Sequence, residues 1–118
     1  MSEHAVAAAH LFDPSAGKIY EAIVAAVARF ANIRTEAAFF VHLVARTSFA
    51  EVHPRRAAVL LTIRSEAPIR SHRIRRLEPV DTKHFRNEMR VEAPADIDQE
   101  VIGWLQRAYS FNVKGYSD

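Results

Sequence analysis

The sequence predicts a single α+β domain over residues 1–118: an antiparallel sheet of three to five strands packed against N-terminal and C-terminal helices. Three observations predict it. Apolar residues recur at helical spacing near both ends of the chain. Between those stretches the period drops to two. The period-two stretches follow one another through short turns, which favours antiparallel pairing with the helices gathered on one face. A chain of 118 residues, 49% of them hydrophobic, can bury a core without covalent staples.

Each element has its own signal. Asp13-Pro14-Ser15 opens the first helix, with Asp13 as the cap and Pro14 at the first helical position. Tyr20, Ile23, Val24, Val27 and Phe30 form its apolar stripe, and the helix is expected to end near Asn32. Residues 1–12 are expected to be frayed, with a short alanine-rich helix over 3–11. "AAFFVHLVA" (37–45) reads as a strand with Phe39, Val41 and Leu43 on one face and Phe40, His42 and Val44 on the other. "SFAEV" (48–52) follows a turn at Arg46-Thr47, and His53-Pro54-Arg55-Arg56 makes the next turn. "AVLLTIR" (58–64) sets Val59, Leu61 and Ile63 on one face. Pro68 and Pro79 break the stretch 65–83, which holds at most a short strand, anchored to the core by Ile74 and Leu77. "FRNEMRVE" (85–92) alternates, with Phe85, Met89 and Val91 inward and Arg86, Glu88, Arg90 and Glu92 outward. Asp96, after Pro94, signals the closing helix, whose stripe is Ile97, Val101, Trp104, Leu105 and Ala108.

Cysteine is absent, which excludes disulfides and thiolate chemistry and points to a reducing, cytoplasmic setting. No stretch has the length of a membrane span, so no membrane partner is expected. The net charge of +2 favours no partner, but its distribution is uneven. Residues 46–90 carry +6, and the rest of the chain carries −4. Thirteen arginines stand against three lysines. Arginine grips phosphate and carboxylate with paired hydrogen bonds, so the bias is relevant to anions. The abundant alanine offers the alternative explanation of a GC-rich genome.

The order of "SFAEVHPRRAAVLLTIRS", then "HRIRR", then a charged alternating strand, then "PADIDQEVIGWLQRAYS" resembles the bacterial family catalogued as domain of unknown function 5655. The resemblance spans roughly residues 14–111. It implies a compact α+β domain with an antiparallel sheet between terminal helices, and it implies no known activity.

The residues suggest no catalytic site, metal or cofactor. Six histidines are present, but none has the spacing or the cysteine partners of a closed zinc site. There is no G-x-S-x-G elbow, and three glycines leave no phosphate-cradling loop. Glu51 and His53 share a strand face and can hydrogen-bond, which reads more readily as a surface contact than as a catalytic pair. Glu88 and Glu92 are flanked by arginines that would pair with them. The leading expectation is therefore a non-enzymatic binding or interaction domain, as monomer or homodimer, with an unknown partner. The alternative is sequence-nonspecific binding of nucleic acid or another anion through Arg55, Arg56, Arg73, Arg75, Arg76, Arg86 and Arg90. That reading requires the seven to share one surface and to lack carboxylate partners. The balance falls on the split or paired outcome, because Arg73 and Arg75 alternate with Ile74 and Arg76 wherever the chain is extended. A third expectation is a pocket between helix and sheet where His42, Arg46 or Trp104 meets a small anion.

Overall fold

A computed structural model of the chain describes residues 9–114. Helix α1 (Pro14–Val27) leads into strands β1 (Arg34–Ala37), β2 (Val41–Ala45), β3 (Thr47–Arg55), β4 (Ala58–Ser65), β5 (Arg76–Asp81) and β6 (His84–Val91), and helix α2 (Gln99–Lys114) closes the chain. Short 3-10 turns occupy Ala9–Leu11 and Pro94–Asp96. The sheet is antiparallel, in the order β1-β2-β3-β4-β6-β5.

The register makes one sheet face apolar. Val52, Leu61 and Met89 stand opposite one another across β3, β4 and β6, with Ala50 and Ile63 in the next row. Both helices bury their stripes on this face. Ile19, Tyr20, Ile23 and Val27 of α1 join Val101, Trp104, Leu105 and Ala108 of α2 in one cluster with the sheet. A bulge between Leu43 and Val44 leaves Phe49 as the extra residue of β3. Phe49 and Ala50, neighbours in sequence, are therefore both buried in the core. The Phe49 ring lies 6.3 Å from Phe30 and 5.9 Å from Tyr109.

The α+β class and the two helices are as expected, but the sheet has six strands rather than three to five. The stretch 37–45 is not one strand. It breaks at 38–40, and Phe39 is 89% exposed instead of facing the core. Arg34–Ala37 becomes a separate edge strand with only Thr35 buried, a pattern too weak to read as alternation. β5 is exposed along its whole length, so it has no apolar signature either; Leu77, expected to be an anchor, is 40% exposed, while Ile74 does pack against the core. Helix α1 stops at Val27, five residues before Asn32, which has a positive φ of 59° in the turn after the helix. Phe30 still reaches the core from that turn. Helix α2 starts at Gln99, where Asp98 accepts the Val101 N–H. Ala9–Leu11 forms a 3-10 turn, and the rest of the predicted N-terminal helix lies outside the described residues.

β4 and β5 pair with opposite edges of β6, so the chain must cross β6 between them. The crossing segment, 66–75, runs on the helix side, where Ile69 and Ile74 pack against the core. The buried Asn87 side chain fastens it. Its Oδ1 accepts the Ile69 N–H at 3.0 Å, and its Nδ2 donates to the Ile63 carbonyl and to Ser65 Oγ. Further on, Arg73 donates to the Asp98 and Glu100 carboxylates and to the Asp96 carbonyl, which ties the segment to the start of α2. Burial alone would lower the Arg73 pKa, but the bonds from Glu100 and Asp98 outweigh it and raise the pKa.

Asp13 ties the other end of the molecule. Its carboxylate accepts the Ala57 N–H at the β3–β4 turn and the Ala16 N–H of α1, each at 2.7 Å. These two bonds, Ala57 first, hold its pKa below the ordinary 3.8. A depressed folded pKa gives stability that is complete above the unfolded value and is lost as pH falls through the folded value. Asp13→Ala is therefore expected to lower the urea midpoint at neutral pH. The gap to the wild type should narrow once the pH drops below 3.8. A gap that stays constant down to pH ~2 would contradict this linkage.

Candidate ligand-binding cleft

With both helices on one face, the other sheet face is covered only by its own side chains. Glu51 of β3 lies there, 3% exposed. Arg86 reaches over β4 from β6 and donates to Glu51 Oε1 at 2.6 Å, and His53 Nε2 lies 3.1 Å from the same oxygen. Phe40, folded back from the break before β2, stacks on the His53 ring at 4.1 Å. The expected Glu51–His53 contact is thus formed, but around a buried carboxylate whose charge is balanced by Arg86. Partners of this kind are what make a buried carboxylate tolerable.

The seven arginines proposed for nucleic acid do not form a free surface. Arg73 is held at the start of α2 by Asp98 and Glu100. Arg75 pairs with Glu88 at 3.7 Å, Arg76 with Glu78 at 3.2 Å, Arg86 with Glu51, and Arg90 with Glu92 at 3.7 Å. Arg55 and Arg56 are exposed at the β3–β4 turn, where Arg55 donates to the adjacent Pro54 carbonyl. A guanidinium already bound to a carboxylate must release it before it can take a phosphate.

The three residues expected to share a pocket do not meet. Val41 and Leu43 fill the inner face of β2, so His42 between them points outward, where its Nδ1 lies 3.1 Å from Ser48 Oγ. Arg46 sits at the β2–β3 turn with φ 68°, and its guanidinium reaches the Val113 carbonyl at 3.5 Å. Trp104 is on α2, on the other side of the sheet from His42.

Trp104 does line a cleft, and the crossing segment makes it. Where 66–70 passes beside α2, the two leave a space of about 830 Å³. That volume is within the range of small-molecule sites, roughly 300–1,000 Å³. Pro68 and Ile69 line one wall, and Trp104, Ala108 and Phe111 line the other at the i, i+4, i+7 positions of α2. The Arg73 guanidinium lies 5.9 Å from the Trp104 ring centroid and helps to hold the indole in place. The polar lining is Arg64, Arg70 and Arg107 against Glu66 and Glu100, with Ser65, Gln106 and Ser110. Ser65 Oγ is already used, donating to the Ala67 carbonyl and accepting from Asn87. Glu100 is used too, by Arg73 at 3.1 Å.

Periodicity places Trp104 on the buried stripe of its helix, and the charge distribution places Arg64 and Arg70 within the basic region 46–90. Neither singles out Arg107 and Phe111 as lining residues. Helical spacing from Trp104 to Phe111 is a usable signal for one wall. Nothing local shows that 66–70 lies against that wall.

The comparisons with known proteins come down to one family. A model of a domain of unknown function, DUF5655, matches residues 7–112. The chain belongs to the DUF5655 family. No curated protein and no solved structure matches it. Among the described residues of this DUF5655 domain, no group of three or more His, Cys, Asp or Glu is placed to hold a metal ion, and no helix is long and apolar enough to cross a membrane.

Removing Arg86 would leave the Glu51 carboxylate buried with His53 as its remaining partner. Arg86→Ala is expected to cost about 3 kcal/mol in urea unfolding. Pairing it with Glu51→Leu removes the stranded charge and should recover most of that loss. If the double variant is no more stable than Arg86→Ala, the ion pair is not what Arg86 contributes.

Proposed function

We propose that this DUF5655 domain is a non-enzymatic binding module whose site is the cleft between segment 66–70 and α2. One observation carries the reading: a space of about 830 Å³ with apolar walls and a few polar groups, built on a rigid helix and a strapped-down segment. The chemistry of the lining supports binding over catalysis. It includes no histidine, and of its groups Ser65 and Glu100 are already engaged within the protein. A general base next to a nucleophile, the minimum for acyl transfer, is not assembled there. The cysteine-free composition suits a cytoplasmic location.

Amide NMR with a small-molecule fragment set tests this. Binding fragments are expected to shift resonances of 64–70 and 104–111 together. Ser110→Trp, which puts an indole into the space, should abolish those shifts while leaving the remaining spectrum folded. Shifts that centre on the Arg55–Arg56 turn or on the Glu51 face would overturn the assignment.

Nucleic-acid binding is the weaker reading, because five of its seven arginines already hold carboxylates. A fluorescently labelled DNA duplex at ~50 mM salt, where phosphate contacts are strong, is expected to show no anisotropy change with micromolar protein. Tight binding that weakens steeply with salt would reinstate that reading.

A further inference from the structure

The cleft's charge goes beyond its shape. None of the three arginines that line it has a carboxylate ion-pair partner among the described residues; six other arginines do, while Arg29, Arg55 and Arg56, away from the cleft, also have none. Arg64 is half-buried, and its Nε is fully shielded from solvent without any acceptor. Its partner across the β4–β6 ladder is Arg86, so its side chain leaves the sheet on the outer face, away from α2. Arg70 and Arg107 are exposed at the rim. Glu100 is committed to Arg73, so Glu66 alone remains to offset the guanidinium groups of Arg70 and Arg107. An anionic ligand gives these two guanidinium groups the carboxylate or phosphate partner that they lack within the protein. The walls beside these groups are apolar and aromatic: Pro68, Ile69, Trp104 and Phe111.

We propose that the cleft binds a small organic anion with an apolar body, its carboxylate or phosphate meeting the guanidinium groups of Arg70 and Arg107 and its body lying against Trp104 and Phe111. The proposal rests on the cleft being the binding site, and it adds the class of ligand. Arginine is suited to both anions because its planar fork donates two parallel hydrogen bonds to either. The apolar body distinguishes this ligand from inorganic phosphate or a nucleic-acid backbone, neither of which would use the Trp104–Phe111 wall.

Trp104 is the only tryptophan in the chain, so its indole N–H resonance reports on the cleft without ambiguity. Matched probes separate charge from shape: 1-naphthoate against 1-naphthamide, and octanoate against octanamide. At least one acid is expected to shift the Trp104 resonance, with an affinity at least about tenfold above its amide, as expected for hydrogen bonds to a charged group. Arg70→Gln/Arg107→Gln, at the exposed rim, should bring acid and amide to the same affinity. Equal binding of acid and amide to the wild type, or an acid preference that survives removal of the arginines, overturns the anion assignment and leaves the cleft as a site for neutral ligands. If no acid and no amide moves the Trp104 resonance, the cleft reading falls along with it.

Discussion

The structure depends on one constraint: both helices cover the same face of a six-stranded sheet. Val52, Leu61 and Met89, aligned across the three central strands, give that face its apolar row, and α1 and α2 have nowhere else to bury their stripes. The opposite face must then satisfy itself without a second layer. It does so with long side chains lying flat across the strands, Arg86 over β4 to Glu51 being the most buried case. The arginine-rich stretches serve much of this purpose. On the outer face they cover the sheet and neutralise its carboxylates, and at Arg73 they fasten a connection to a helix.

The same constraint explains where the cleft lies. Two helices do not fully pave six strands, and β5 sits beyond β6, so the chain has to cross the helix side of the sheet to reach it. The crossing segment fills part of the remaining space. Asn87, a polar residue in the inward register of β6, would be a costly burial without the Ile69, Ile63 and Ser65 bonds that it makes. Between the strapped segment and α2 a gap remains, bordered by Arg70 and Arg107, which have no carboxylate ion pair among the described residues.

Strong local periodicity made much of the fold readable. The stripes of α1 and α2, the alternation in β4 and β6, and the Asp13 cap were all legible, because each is a relation between residues within one or two turns or a few strand positions. β1 and β5 were not, because edge strands gain their structure from a neighbour's hydrogen bonds and need no apolar pattern of their own. The break at 38–40 was hidden in a run of aromatic and aliphatic residues in which Phe39 and Phe40 look like core and are not.

From sequence alone came the class of the domain, the faces of its main helices and strands, the family, and the presence of an arginine-rich stretch that needed an explanation. Only the tertiary structure decided which arginines are occupied and which are not. That outcome turns on pairs such as Arg86 with Glu51 and Arg73 with Asp98, separated by 35 and 25 residues and joined by register and by a crossing connection. Local spacing carries no information about such contacts. The cleft is the same kind of fact: its two walls are 35 residues or so apart in the chain, and they meet because β5 pairs with the far edge of β6.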